Sequence, residues 1–381
     1  MRRGIKHFLR ITIALGVFLG LVHILHAITL DRIIEFKEIS MTSPNFPQEL
    51  DGYRVAFVSD THAMPQRHLD IVVDGVNNWQ ADILIIGGDI SSSQSRYLGH
   101  FERVIAALVN VEADDGIFAI EGNHDDFSII APLLKEAGVT PLHNDGVHLH
   151  EGLFLAGTAD LWSGNASILQ ATRDVDTDGG DFVLLVSHNP DLAMRQNTAD
   201  VDLILSGHTH GGQWTFLGIF APYFLRAHIT DYGQRFAFGW AQGDDGTPVF
   251  VGNGTAVDYY IFPRIFARPQ VVLLTLYHGD EVQTLTAGGF WSTPVGITAT
   301  IILALWNIAV FALYAADKRK SITRRKRIKE AHLIAAALAF GGAGAYFGIY
   351  ICRHKNRKFG FVVCIGIALI IQILLLFFTM R

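Results

Sequence analysis

The 381-residue chain has room for about two domains. Its charge is spread unevenly: the net is −6, yet residues 32–291 hold 13 Lys and Arg against 33 Asp and Glu, a formal charge of −20. So acidic a segment lacks the basic face that duplex-DNA binding requires, and any anionic substrate must be drawn in by something other than side-chain charge, such as bound cations. The only cysteines, Cys352 and Cys364, lie in an apolar tail, which excludes disulfides and thiolate metal sites from the acidic segment.

In chain order, residues 5–30 contain an apolar run long enough to cross a bilayer. Arg2, Arg3, Lys6 and Arg10 precede it, so the positive-inside rule puts the N-terminus in the cytoplasm and the acidic segment outside. "HAITLD" is a poor small-x-small cleavage site, which favours an uncleaved anchor over residues 1–31 rather than a signal peptide. Residues 32–50 then read as a linker, 51–278 as a globular domain and 279–292 as a second linker.

Within 51–278 the apolar runs end in polar punctuation. "RVAFVSDTH" (54–62), "DILIIGGD" (82–89), "GIFAIEGNHDD" (116–126), "DFVLLVSHNPD" (181–191) and "VDLILSGHTH" (201–210) have the length and flanks of buried strands. Between the early ones, "LDIVVDGVNNW" (69–79), "YLGHFERVIAALVNV" (97–111) and "SIIAPLLKEAG" (128–138) carry helical periodicity. Alternating strand and helix implies an α/β fold with parallel pairing at its start. From residue 140 on, runs such as "VHLHEGLFLAG" and "TPVFVGN" read as antiparallel strands, giving two packed sheets flanked by helices.

Two more membrane-length runs follow, at 293–316 and 360–380, with a weaker Gly- and Ala-rich candidate at 331–351. The first of these returns the chain inward, ahead of "DKRKSITRRKRIKE" with its eight basic residues. If 331–351 crossed fully, "RHKNRK" (353–358) would end outside, against the rule; a re-entrant or interfacial helix keeps both basic loops inside. The expectation is a C-terminal membrane domain over 293–381 with two to three helices.

Five successive strands thus end in Asp, Asn or His, and open α/β sheets collect ligands at the carboxyl ends of their strands. Asp60, His62, Asp89, Asn123, His188, His208 and His210 supply two carboxylates, one amide oxygen and four imidazoles. Two ions about 3.5–4 Å apart need such a set, with one carboxylate shared between them. Alternate residues at a strand end face the same side, so Asp60 and His62 can share an ion, and His208 and His210 have the same spacing. Asp89 follows two glycines, which let the backbone turn and bring its carboxylate inward. Ligands that are all nitrogen or oxygen fit Mn, Fe, Zn or Ni. Singly each motif is commonplace; five in order at five strand ends is not. His148 and His150 alternate on one strand without a recurring acidic partner, and His23 and His26 sit near the outer end of the first span, so these four read as filling or interfacial residues.

The series "SDTH", "GGD", "GNHD", "SHNPD" and "GHTHGG" resembles the calcineurin-like metallophosphoesterases over roughly residues 51–278. That resemblance implies a four-layer α/β/β/α sandwich and two divalent metal ions. It implies Asp60, His62, Asp89 and His210 around one ion, and Asp89, Asn123, His188 and His208 around the other. His124 would stand near the leaving group, positioned by Asp125. The run on into Gly211-Gly212-Gln213 and the Arg-Pro-x strand in "ARPQVVLLTL" (267–276) are similar to the membrane-anchored bacterial branch, which includes enzymes acting on UDP-diacylglucosamine and others that are cell-envelope phosphodiesterases. The family often has another Asp or Asn shortly after the shared Asp, where this chain reads Ile90-Ser91-Ser92. The tail resembles a family of small bacterial membrane proteins of unassigned activity.

The expected function is hydrolysis of a phosphodiester or pyrophosphate bond of a membrane-associated or cell-envelope small molecule by a metal-bridging hydroxide, with His124 protonating or stabilising the departing oxygen. The expected partners are the lipid bilayer and a small phosphorylated or lipid-linked substrate. Residues 216–229, "FLGIFAPYFLRAHI", are apolar enough to be core, a lid hinge or the lining of a lipid groove. The competing expectations are a phosphomonoesterase of broad specificity and a non-catalytic membrane protein with a sensory metal domain.

Overall fold

The computed structural model describes residues 32–286 and 294–379, apart from 63, 92–97, 163, 177–179, 216–220, 222–228, 257, 260–261, 353–354 and 356–357, together with 20, 23–25 and 27–29. Most of the expected N-terminal anchor, and all of the apolar stretch 216–229 except Ala221 and Ile229, lie outside the described residues. The chain divides into an α/β unit within Leu15–Ala287 and a helical unit within Gly288–Arg381.

The α/β unit opens with β1 (Glu35–Ser43), β2 (Tyr53–Val58), α1 (Gln66–Trp79), β3 (Ile83–Gly87), α2 (Leu98–Leu108), β4 (Ile117–Ile120), α3 (Phe127–Glu136) and β5 (Thr140–Pro141). It continues with β6 (Asp145–His150), β7 (Leu153–Gly157), the single-turn α4 (Ile168–Ala171), β8 (Phe182–Val186), β9 (Leu203–Ser206), β10 (Gly239–Gln242) and β11 (Pro248–Val251). The two-residue β12 (Asp258–Tyr259) and β13 (Phe262–Pro263), then β14 (Gln270–His278) and β15 (Gln283–Thr286), complete it. A seven-stranded sheet runs β15-β1-β14-β2-β3-β4-β5 and a six-stranded sheet runs β10-β11-β9-β8-β7-β6.

Strand alternation explains the layering, because successive side chains face opposite sides of a sheet. Val55 and Phe57 of β2, Ile83 and Ile85 of β3, Phe182 and Leu184 of β8, and Leu203 and Leu205 of β9 meet between the sheets. Ala56, Val58, Leu84 and Ile86 face the other way, onto α1, α2 and α3 through Leu69, Val72, Phe101, Val104, Ile130 and Leu134. Val183, Leu185 and Ile204 face the outer side of the second sheet, onto Ile168, Leu192 and Phe236. The result is the four-layer α/β/β/α sandwich.

Two features differ from the sequence reading. The β6–β7 hairpin is antiparallel, and "TPVFVGN" (β11) pairs antiparallel with β10 as expected, but it pairs in parallel with β9, and the centre of the second sheet, β7-β8-β9-β11, is parallel. Strands buried on both faces show no alternation from which direction could be read. The segments taken as linkers also join the first sheet: β1 pairs in parallel with β14 from Glu35 to Ser43, and β15 pairs with β1.

The helical unit holds α5 (Pro294–Ile322), α6 (Glu330–Ala336), α7 (Gly342–Ile351) and α8 (Phe359–Thr379). Among the described residues, two stretches, Ile301–Ile322 and Glu330–Ile351, are long and apolar enough to cross a membrane. The second is broken, with Ala339 and Phe340 outside helical geometry. Side chains satisfy the backbone that the break frees: Trp306 Nε1 donates to Ala339 O (2.6 Å), Asn307 Nδ2 to Phe340 O (2.9 Å), and Ala343 N to Gln372 Oε1 (3.0 Å). Both ends of the broken segment return to one place. Asp317 accepts from Ile328 N (2.7 Å) and pairs with Lys355 Nζ (3.4 Å), while Lys358 Nζ donates to Glu330 (2.6 Å). Thus α6 and α7 form a helical hairpin whose tip lies beside Trp306 and whose two ends lie at the basic end of α5.

Candidate metal centre

The carboxyl ends of β2, β3 and β4 in one sheet and of β8 and β9 in the other converge at one edge of the sandwich. Asp60, Asp89, Asn123, His188 and His208 each stand two or three residues past those ends. Ligand atoms of Asp60, His62, Asp89 and His210 all lie within 4.8 Å of one another, as do those of Asp89, His188 and His208, so Asp89 belongs to both groups.

The turns that deliver these side chains are strained. Asp60 (φ 52°), His62 (φ 43°), Asp89 (φ 51°), His208 (φ 68°) and His210 (φ 51°) all occupy the left-handed region. Each such residue costs roughly 1–3 kcal/mol and persists only where its surroundings fix it. Gly88 (φ 87°) makes the turn before Asp89. At Gly122 a Cβ would stand 2.2 Å from Asp89 Oδ1, so only glycine lets the "GNHD" loop press against that carboxylate. Asp126 caps α3 by accepting from Ser128 N (3.1 Å), which keeps the Asn123–Asp125 turn short.

Hydrogen bonds set which imidazole nitrogen faces inward. His188 Nδ1 meets Gly87 O (2.8 Å), His62 Nδ1 meets Ser91 O (3.1 Å) and His208 Nε2 meets Ile229 O (3.0 Å). A carbonyl only accepts, so each of these nitrogens carries a proton and the ring's other nitrogen is the one turned to the centre. His188 Nε2 stands 3.3 Å from Asp89 Oδ2, and His62 Nε2 stands 3.2 Å from His210 Nε2. His188 Nε2 and Asn123 Oδ1 are buried without a hydrogen-bond partner. Carboxylates and imidazoles converging in this way suit a cation, the two groups that share Asp89 fit a pair of divalent ions, and Asn123 lines the same cleft.

Charge follows the same geometry. Burial lowers His62 and His210, and brings His208 down to about 4, which keeps these rings neutral. Burial alone would raise Asp89, but His188 and His62 hold it below the ordinary carboxylate range. Burial opposes a charged His188, yet the carboxylates of Asp89 and Asp60 outweigh it and raise that ring well above its usual value. Burial and the charge of Asp89 push Asp125 up to about 7. Its carboxylate accepts from Gly122 N (3.0 Å), Ser91 N (3.1 Å) and Ile90 N (3.2 Å), so it acts on the backbone that carries Asn123 and His124. His124 N in turn donates to Asp89 Oδ1 (2.8 Å), and the His124 ring packs edge-on to His62.

Four supporting residues escaped the sequence reading. Asp191, within "SHNPD", accepts from Thr230 Oγ1 and from Asp231 N (2.8 Å), and so holds the carbonyl of Ile229 that orients His208. Buried Arg264 donates to the carbonyls of Ala256 (2.7 Å), Asn253 (2.7 Å) and His210 (3.1 Å), locking the loop after β11 onto His210. Asp160, fully buried, accepts from Trp162 N (2.8 Å), and the Trp162 ring meets His208 edge-on at 4.4 Å. Only Asp191 had a signal, its place in a quoted motif. Asp191→Asn, whose amide cannot accept on both sides, is expected to weaken metal binding about 10- to 100-fold. Metal titration of the folded variant checks this, and an unchanged affinity would show that His208 is oriented by something else.

Two sheets delivering two His/Asp groups around one shared carboxylate define a metal-dependent hydrolase. Residues 53–212 match the calcineurin-like phosphoesterase family, and the chain carries a calcineurin-like metallophosphoesterase domain. Enzymes of this family use two divalent metal ions, which the groups sharing Asp89 accommodate. The chain is 29% identical over 256 residues to the metallophosphoesterase YkuE of Bacillus subtilis, covering 64% of this chain and 86% of that one. It is 29% identical over 255 residues to a bovine transmembrane protein with a metallophosphoesterase domain, covering 60% of this chain and about half, 54%, of the relative. It is 27% identical over 245 residues to the phosphodiesterase YaeI of Escherichia coli, covering 61% of this chain and 84% of that one. Residues 307–361 match a second family, described as a protein of unknown function, DUF1294.

Proposed function

We propose that the chain hydrolyses a phosphodiester or pyrophosphate bond of a small molecule held at the membrane surface, with Asp60, His62, Asp89 and His210 holding one ion and Asp89, Asn123, His188 and His208 the other. The observation that carries this reading is the sharing of Asp89 by two groups whose candidate ligand atoms lie within 4.8 Å of one another. Two divalent ions, when bound, neutralise phosphoryl oxygens and make a coordinated water more acidic. The chain's own residues do the rest. Asp89 fixes the spacing of the two groups and ties down the amide of His124. His124 borders the cleft above the shared carboxylate and supplies the proton that the departing oxygen takes up. Asp125 sets the turn that carries it. The −20 segment charge makes duplex nucleic acid an unsuitable substrate.

We further read the chain as a multi-pass membrane protein with its catalytic domain on the extracytoplasmic side. The α6–α7 hairpin supports this: with Lys355 beside Asp317 and Lys358 beside Glu330, both basic loops lie at one end of the helical unit, as the positive-inside rule asks. The deciding experiment uses the full chain in detergent. Hydrolysis of a diester faster than of the matching monoester, with about two metal ions bound per chain, is expected. Monoester preference, or turnover indifferent to chelator, would overturn the reading.

A further inference from the structure

The cleft over the shared carboxylate is small, about 150 Å³, and is lined by Asn123, His124, Trp162, His208, Gln213 and Ile229 among others. That has room for a phosphoryl group, and the cleft is open, so the substituents on phosphorus extend toward its rim. The two rings on that rim sit over different halves of the centre. His124 packs against His62, with ring centroids 5.4 Å apart, and Trp162 packs against His208, with centroids 4.4 Å apart. His62 and His208 belong to the two different groups that meet at Asp89.

Trp162 is 47% exposed, although its amide is pinned to a fully buried carboxylate, Asp160. A large apolar ring held on a fixed turn, edge-on to a histidine of the centre and half open to water, contributes little to the core and offers a flat surface for binding. We propose that Trp162 is the recognition wall for the ester substituent that stays on phosphorus, while the leaving oxygen departs on the His124 side. The site would then select diesters whose retained group is flat or apolar, and a monoester would leave the wall unused. This rests on the phosphodiesterase reading and adds to it which end of the substrate is recognised, and by what.

The test uses three substrates with one leaving group: bis(p-nitrophenyl) phosphate, methyl p-nitrophenyl phosphate and p-nitrophenyl phosphate. In each, water adds to phosphorus, the P–O bond to p-nitrophenolate breaks, and the retained group differs. In Trp162→Ala of the metal-loaded full chain, the ratio of kcat/KM for the bis ester over the methyl ester should fall about 3- to 10-fold, mainly through KM. Metal content should stay constant, and Trp162→Phe should recover most of the ratio. A uniform loss on all three substrates would mean that Trp162 only braces His208, and an unchanged ratio would mean that there is no wall; either overturns the inference while the hydrolase reading stands. A wild-type chain that binds metal but turns over no diester would remove the hydrolase reading, and this inference with it.

Discussion

Asp89→Ala is expected to lose both bound metal and turnover, where a change at any other candidate ligand touches one group only. Asp89 is the sole residue common to the two sets whose ligand atoms lie within 4.8 Å. It is buried at the end of β3, and its Oδ1 also anchors the amide of His124 (2.8 Å). Removing residues that merely orient a ligand costs about 10- to 100-fold in metal affinity, so losing the shared ligand should cost at least that at both positions. Turnover should fall by at least about 10³, the upper end of what one lost electrostatic contact removes. Metal analysis per chain and kcat/KM on one diester measure the two losses. The pH dependence of loading is a third readout. His188 holds a proton chiefly against Asp89, and a metal must displace it, so wild-type loading releases that proton and weakens as pH falls. In Asp89→Ala that dependence should flatten. A variant that keeps two ions, or turns over within tenfold of wild type, would show that the centre is built around some other residue.

Much of this centre was legible because its ligands sit where strands stop. The five buried runs are short, apolar and closed by Gly, Asp, Asn or His, so the sequence marks both the strand and the residue just beyond it. What holds the ligands was less legible, for physical reasons. Left-handed turns at Asp60, His62, Asp89, His208 and His210 are strained for the residues that adopt them, and no propensity announces them. Arg264, Asp160 and Trp162 act from loops far along the chain, through contacts that only the folded sheets bring together. Strand direction in the second sheet was hidden by two-sided burial. β1 lacks the closing residues of the others and intersperses Glu35, Lys37 and Glu38 among its apolar residues, so "EFKEISMTS" reads as a linker. The tail shows the reverse case: charge alone anticipated that both basic loops share an end, while the break at Ala339 and Phe340 that makes this possible has no helix-breaking residue at its centre.

His124→Ala separates chemistry from metal binding. The ring packs edge-on to His62 but contributes no atom to either of the two groups, and the residue's bond to Asp89 runs through a backbone amide that alanine retains. Metal content should therefore remain near wild type while kcat falls about 10²- to 10⁴-fold, the range for a lost general acid. The size of the loss should depend on the leaving group. An alkoxide is too basic to depart unprotonated, so esters of simple alcohols should show the full effect. A p-nitrophenolate departs without a proton, so its esters should show little. Plotting log kcat against the acidity of the leaving alcohol for a series of diesters should give a steeper slope in the variant than in the wild-type chain. Parallel lines would assign His124 to holding the phosphoryl group in place. The proton would then have to reach the departing oxygen from water, and the distinct places of His124 and Trp162 on the rim would no longer define which ester bond breaks.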